Sequence, residues 1–268
     1  MKKNLRPRFL PLQRSLSCVR AVFVIVLVAS CLSHARATTY DAVTDFSTTT
    51  NTNTSTWSYR YSTTTVRDGN YLLLPTYGPW TNWTPTNPQA WRSPTGDVPV
   101  IGVNQTGSDA TFVPGPGSGP FVWPNGTMLA HPEGGELAVL SWLSPSTSLI
   151  NINFSFSSLD PNGGNGVSWF VEENSGLTTL AMGSYADGGA SGNLSLSGIP
   201  VMAGDRINFI VDPNGDFFFD STKITATITT PTSVPESVSS FTLLFLGLIP
   251  LLAAKHGLSR CTFLHVRA

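Results

Sequence analysis

The central part of this 268-residue chain contains no cysteine. Its three cysteines are Cys18, Cys31 and Cys261, so the 196 residues from 38 to 233 have none. Disulfide bonds, thiolate metal sites and cysteine nucleophiles are therefore excluded from that stretch. It must fold around an ordinary hydrophobic core, and its length is sufficient for one domain.

Groups suited to catalysis are also scarce. His131 is the only histidine between residues 38 and 233, and no Gly-x-Ser-x-Gly motif accompanies it. The sequence from 131 to 136 is typical of a polar loop. The Glu-x-Asp-x-x-Glu strand motif of sandwich glycoside hydrolases is absent, and the adjacent Glu172 and Glu173 would point to opposite faces of a strand. The sequence therefore predicts a protein that is not an enzyme, with a glycoside hydrolase as the weakest alternative.

Charged residues make up only 12% of the chain, and they are segregated. Residues 1–37 carry seven basic residues and no acidic one, whereas residues 38–233 carry fifteen acidic and five basic residues, a formal charge of −10. A body with this charge repels phosphate backbones and anionic lipids, so nucleic acid is not an expected partner. Neutral polysaccharides, divalent cations and basic proteins are compatible with it.

The N-terminus has the pattern of a secretory signal peptide. Basic residues precede an apolar run from Ala21 to Leu32, and Ala35-Arg36-Ala37 supplies a cleavage site. The run is shorter than the roughly twenty residues of a spanning helix. We therefore expect residues 1–37 to direct export through the Sec pathway. Val28 to Cys31 also resembles a lipobox, in which case Cys31 would be lipidated.

The C-terminus has three parts: an acidic turn, an apolar run and a basic stop. The turn is Val234-Pro235-Glu236, the uncharged run extends from 238 to 254, and Lys255 and Arg260 follow it. The pattern predicts a single hydrophobic C-terminal helix with its basic end in the cytoplasm. The predicted sorting signal covers residues 234–260, between a linker at 230–233 and a tail at 261–268.

This segment resembles the PEP-CTERM signal, which is also known as an ice-binding protein C-terminal domain. The resemblance implies an exosortase-type processing protease as a partner, transient insertion in the inner membrane, and a final location at the cell surface or in an extracellular matrix with exopolysaccharide. Two features depart from the family pattern. Ser237 stands where a second proline is usual, and the tail continues beyond the basic stop.

The body between these signals has the pattern of an all-β protein. Apolar residues alternate with polar ones in 57–61, 149–156 and 206–211, and Gly, Pro, Asn and Asp mark turns between such runs. The run 204–228 resembles a hairpin of bacterial jelly-roll domains. We therefore predict a jelly-roll-type β-sandwich over residues 38–229. Residues 44–56 are expected to form an exposed arm or a glycosylated strand edge, and 75–124 long loops.

An aromatic cluster in the loop-rich stretch is the first candidate site. Tyr77, Trp80, Trp83 and Trp91 lie within fifteen residues. Planar rings on an exposed surface stack against the C–H faces of sugars, so these four residues predict a saccharide-binding platform. The alternative is that the rings pack the loops onto the sandwich.

A group of oxygen ligands near the end of the body is the second candidate site. Asp212, Asn214, Asp216 and Asp220 surround a glycine turn. Ca²⁺ takes six to eight oxygen ligands in flexible geometry, so a calcium site is one interpretation. An ordinary hairpin turn is the other.

The chain is therefore expected to be an exported, non-enzymatic protein of the cell surface or biofilm matrix. A lectin-like carbohydrate-binding module is the alternative.

Overall fold

The computed structural model describes residues 37–113, 119–160, 163–173 and 178–231, all within one compact unit, Ala37–Pro231. These residues form seventeen strands and no helix, which confirms the predicted all-β class. In chain order the strands are β1 Thr38–Asp41, β2 Trp57–Tyr61, β3 Leu72–Leu73, β4 Thr76–Pro79, β5 Trp83–Thr84, β6 Gln89–Arg92, β7 Val100–Val103, β8 Ala110–Phe112, β9 Val122–Trp123, β10 Met128–His131, β11 Ala138–Leu143, β12 Ser148–Ser158, β13 Val167–Glu173, β14 Thr178–Tyr185, β15 Leu194–Val201, β16 Arg206–Asp212 and β17 Thr222–Thr230.

Two large antiparallel sheets pack face to face as a sandwich. The first has the order β15-β12-β17-β10-β7-β6-β4, with β1 also paired to β17, and the second has the order β14-β13-β16-β11-β2-β3. One continuous apolar core contains side chains from both sheets. The alternation predicted for β12 and β16 is confirmed, because their core-facing residues are buried. These are Ile150, Ile152, Phe154 and Phe156 of β12, and Ile207, Phe209 and Val211 of β16.

A third layer covers part of the outer face of the first sheet. It is a small sheet with the order β5-β8-β9, which packs on Ala90, Val100 and Leu129. These three residues belong to β6, β7 and β10, so those strands are buried on both faces. A Cβ atom at Gly102 of β7 would lie 3.0 Å from Trp123 Cη2 and 2.8 Å from Ala90 Cβ. Glycine at this position therefore allows the third layer to approach closely.

The outer face of the second sheet is covered as well. Tyr71, before β3, packs with Leu137, Val139 and Ile210. Nearby, the Arg67 guanidinium lies over the Phe170 ring, 3.6 Å from its centroid. This covering explains why β2 and β16 are almost fully buried rather than half-exposed.

Two expectations for the first third of the body require correction. Most of residues 44–56 are exposed, as expected, but they form a loop fastened to the sandwich and not an arm or a strand edge. Asn51 Nδ2 donates to the carbonyl oxygens of Tyr59 and Leu74 at 2.8 and 2.9 Å, and Phe46 is buried. The stretch 75–124 contains six short strands, β4 to β9, where long loops were expected. Strands of two to four residues between prolines and glycines are too short to produce a periodic signal.

Candidate functional site

The tryptophans of the predicted platform are buried. Trp80, Trp83 and Trp91 expose 6%, 6% and 7% of their surface. The structure therefore corrects the prediction of an exposed three-tryptophan platform and agrees with the packing alternative. Trp91 belongs to the main core, where its Nε1 donates to the Ser47 carbonyl oxygen at 2.8 Å, while Trp80 and Trp83 belong to the third layer.

Three of the four rings that pack against Trp83 come from later in the chain. Its ring centroid lies 5.2 Å from the rings of Phe112 and Phe121, 5.4 Å from Trp123 and 5.1 Å from Trp80. Tilted and edge-on contacts at these distances stabilise an aromatic core. The aromatic residues at 112, 121 and 123 were the sequence signal for this core, and the sequence-based reasoning missed it.

Tyr77 is the one member of the predicted set that remains partly exposed. It lies on β4, with its ring centroid 5.1 Å from Trp91 and 6.4 Å from Phe46. These contacts fix the ring on the edge of the core, and burial raises the pKa of its hydroxyl above the ordinary value. Its exposed part lines a groove.

This Tyr77 groove has a volume of about 410 Å³ and a polar, uncharged lining. Three of its side chains are amides, three are threonines, and Val103 is the only aliphatic one. The lining residues are Thr48, Tyr77, Thr86, Asn87, Gln89, Val103, Gln105 and Thr106. Such a surface offers hydrogen-bond donors and acceptors together with a ring, and it carries no group that titrates near neutral pH.

Side-chain hydrogen bonds hold the two turns that border the groove. Asn87 Oδ1 accepts the Trp83 N–H at 2.9 Å. Asn104 is fully buried: its Nδ2 donates to the carbonyl oxygens of Ser108 and Trp123, and its Oδ1 accepts from Thr106. A surface ordered in advance loses less conformational entropy when it binds a ligand.

A second depression, the aromatic cleft, has a volume of about 280 Å³ and different chemistry. Phe218 exposes 58% of its surface there, and its ring stacks on Phe217 with centroids 4.6 Å apart. The remaining side chains combine further rings with a few polar groups. The lining residues are Trp80, Thr81, Asn82, Asp97, Val98, Phe112, Gly119, Phe121, His131, Asp160, Phe217, Phe218, Phe219 and Ser221.

His131 ends β10 and does not belong to a loop as the sequence suggested. Its ring lies between Trp80 and Phe217, with centroid distances of 6.3 and 6.2 Å. Burial lowers the pKa of His131 to about 4, and its Nδ1 lies 2.6 Å from the Pro132 carbonyl oxygen. His131 is therefore a neutral packing residue of the cleft at physiological pH.

The residues of the predicted calcium hairpin have separate structural roles. Asp212 Oδ1 accepts the Asn214 N–H at 3.0 Å, and Asp216 Oδ1 accepts the Phe218 N–H at 3.1 Å. Asn214 binds Ser168 and Gly166 through its side chain. These are turn interactions, as in the alternative interpretation. Within the described ranges no group of three or more His, Cys, Asp or Glu side chains is arranged to hold a metal ion.

Glu172 has a structural role. It is buried, forms an ion pair with Arg67, and accepts a hydrogen bond from the Tyr71 hydroxyl at 3.3 Å. Glu173, the next residue, is more exposed. Both oxygens of the Glu172 carboxylate therefore have partners within the fold, namely the Arg67 guanidinium and the Tyr71 hydroxyl.

The targeting segments lie outside the described residues. This applies to the predicted signal peptide with Cys31 and to the sorting residues Val234, Pro235, Glu236, Lys255 and Arg260. Across the ranges that the structure does describe, no helix is long and apolar enough to cross a membrane.

No protein-family model matches the chain, and no curated protein does. Nineteen solved chains resemble part of it. One is a family 29 carbohydrate-binding module, with 19% identity, 49% of this chain and 92% of that chain covered, and a TM-score of 0.28. Another is a GH26-CBM35 β-(1,4)-mannanase from Podospora anserina, with 15% identity and a TM-score of 0.26 over 50% of this chain; the match spans only 28% of the mannanase. A third is a carbohydrate-binding module of Cellvibrio mixtus lichenase 5A in complex with cellotriose, with 14% identity, 47% and 86% covered, and a TM-score of 0.22. TM-scores of this size establish neither a common topology nor a common function.

Proposed function

We propose that this protein is a non-enzymatic carbohydrate-binding protein that holds a neutral polysaccharide in the Tyr77 groove. The observation that carries the proposal is the lining: amide and hydroxyl side chains surround a partly exposed tyrosine ring, and none of them is charged.

The chemistry of the lining matches that of a neutral sugar. Gln89 and Gln105 are exposed, and each side-chain amide offers both a donor and an acceptor to neighbouring sugar hydroxyls. The Tyr77 ring offers an apolar surface to the C–H face of the sugar. An anionic glycan would find no cation in the groove, and the surrounding body is acidic.

A titration of the purified chain with a panel of neutral polysaccharides, followed by calorimetry, tests this function. We expect binding by at least one polymer and a loss of about tenfold or more in affinity for the Gln89→Ala/Gln105→Ala double variant. Phe218→Ala, in the aromatic cleft, is the matched control and should bind normally. If the control loses affinity and the double variant does not, the site is misassigned. If no polymer binds, a matrix scaffold without a glycan ligand becomes the better interpretation.

We also propose that the body is a jelly roll exported to the cell surface or to an extracellular matrix. From β11 to β17 the chain passes repeatedly between the two large sheets, which supports the jelly-roll type. The support for export and for an exosortase-type partner is the sequence of residues 1–37 and 234–260 alone. Intact-mass measurement on protein from its native host should show the loss of both segments. Recovery of a chain that retains Cys261 would contradict the sorting proposal.

A further inference from the structure

The carboxylate of Asp220 is buried without a partner. Asp220 lies between β16 and β17 with 2% of its surface exposed. Neither of its oxygens has a hydrogen-bond partner in the described part of the chain, and neither ion pair found there includes it. A charged group removed from water is strongly unfavourable unless it is paired or neutralised. The site therefore requires a compensating cation or proton.

The electrostatic surroundings of Asp220 favour positive charge. Burial, and then the carboxylates of Asp216, Asp187, Asp212 and Asp160, raise the pKa of Asp220 to about 8. The ion pairs Arg67–Glu172 and Arg92–Asp97 do not include Asp216, Asp187 or Asp212. This negative potential attracts a cation.

Asp220 also shares a narrow cavity with a second carboxylate. Asp187 lines the same space, together with the hydroxyl-bearing side chains of Ser158, Ser221 and Thr222. Ser221 is 1% exposed, and its Oγ has no hydrogen-bond partner among the described residues. The cavity is too narrow for a water molecule. Oxygen ligands lie about 2.3 to 2.6 Å from Ca²⁺, closer than the roughly 2.8 Å of a hydrogen bond to water. A space too narrow for a water molecule can therefore still hold a Ca²⁺ ion.

We propose that Asp220 and Asp187 bind a Ca²⁺ ion in this cavity. The Ser221 hydroxyl, which has no hydrogen-bond partner among the described residues, supplies a further oxygen ligand. The Ser158 hydroxyl, which donates to Asp187 Oδ1 at 3.2 Å, supplies another, and the Gly163 N–H holds Asp187 Oδ2 in place. A site without imidazole or thiolate selects a hard cation, and Ca²⁺ accepts irregular oxygen sets, whereas Mg²⁺ requires octahedral geometry and usually retains several waters. The ion would connect the end of β12, the residue pair after β14 and the start of β17.

This site differs from the hairpin site predicted from the sequence. Asp212 and Asp216 contribute negative potential but hold their own turns, and Asp220 is the only residue common to both sites. The two sites are therefore separable by substitution.

Thermal unfolding of the full chain, with millimolar Ca²⁺ or after treatment with chelator, tests the proposal. At a hundredfold excess over Kd we expect Ca²⁺ to raise the melting temperature by roughly 5 to 10 °C. Asp220→Asn should fold and show no response to Ca²⁺. In chelator it should melt higher than the wild type, because it removes the free-energy cost of keeping a buried carboxyl group neutral at neutral pH. Asp216→Asn, the matched control, should keep the response.

Terbium luminescence gives a second readout, since Tyr185 lines the same cavity and can sensitise a bound lanthanide. Wild type should show terbium emission that Ca²⁺ displaces, and Asp220→Asn should not. Coincident wild-type melts with and without Ca²⁺, an equal response to Mg²⁺, or a response lost in Asp216→Asn and kept in Asp220→Asn would each overturn the proposal.

Discussion

The Tyr77 groove and the aromatic cleft both adjoin the stretch from β4 to β9, yet their surfaces are opposite in character. The groove presents amides and threonines around one ring, and none of its lining residues is charged. The cleft presents seven aromatic or imidazole side chains with two carboxylates, of which Asp97 is paired with Arg92 at 2.7 Å. The richer aromatic lining thus belongs to the surface with the less suitable hydrogen-bonding groups for a neutral sugar.

The difference shows that the number of aromatic residues in a segment does not locate a binding surface. Trp80 and Trp83 are enclosed by rings from 112 to 123, and they stabilise the third layer. Tyr77, the one member of the predicted platform that is not a tryptophan, is the ring that remains in contact with solvent and polar groups. Exposure, not aromatic content, separates the two roles.

Removing an aromatic ring from the third layer should have the largest effect on stability. Trp83→Ala leaves a cavity in a closely packed aromatic cluster, and we expect a loss of about 3 to 5 kcal/mol in the free energy of unfolding. Chemical denaturation measures it. Polysaccharide affinity of the folded fraction should stay unchanged, because Trp83 does not line the groove. A stable Trp83→Ala protein that no longer binds sugar would contradict this role and support the predicted tryptophan platform.

The protonation of His131 should distinguish the cleft from the groove. Because burial lowers its pKa from 6.5 to about 4 in the folded state, the unfolded chain takes up the proton first as the pH falls. The stability contributed by neutral His131 is therefore complete above pH 6.5 and is lost as the pH falls towards 4.

Unfolding free energies of the wild type and His131→Gln between pH 4 and 8 test this expectation. Their difference should diminish towards acid pH, while contributions from carboxylates are common to both proteins. Sugar affinity of the folded protein should not change over pH 5 to 8, since no lining residue of the groove titrates there. Parallel stability profiles would contradict the assignment of His131 as neutral at physiological pH.

Truncation of Tyr77 should affect binding more than stability. We expect Tyr77→Ala to weaken polysaccharide binding by about tenfold or more, and to lower the unfolding free energy by about 1 to 2 kcal/mol through lost contacts with Trp91 and Phe46. Tyr77→Phe keeps the ring and should retain most of the affinity. Calorimetry on the three proteins measures this, and equal affinities would exclude stacking on Tyr77.

Removing the exposed Phe218 ring of the aromatic cleft should have the smallest effect on stability. Phe218 exposes 58% of its surface, so Phe218→Ala should change the unfolding free energy by less than about 1 kcal/mol. Its melting curve should almost overlay that of the wild type. A large destabilisation would mean that the pair Phe217–Phe218 is part of the core.

The sequence could predict the strands whose period is visible in consecutive residues. β12 and β16 have the predicted inward faces because apolar residues occupy every second position, from 150 to 156 in β12 and from 207 to 211 in β16. The third layer was not predictable in this way, since its strands have two or three residues and its core forms from segments up to about forty residues apart. The burial of Asp220 could not be predicted from the sequence either, because a sequence pattern indicates a turn but not which carboxylate in that turn is buried.

An amide chemical-shift titration of the isotopically labelled chain with a neutral oligosaccharide that it binds tests the central claim most directly. The account predicts that the perturbed backbone signals cluster at residues 48, 77, 86–89 and 103–106, and that signals of 217–219 and 131 stay unchanged. Perturbations confined to the aromatic cleft, or spread over neither surface, would contradict the assignment of the Tyr77 groove as the sugar-binding site.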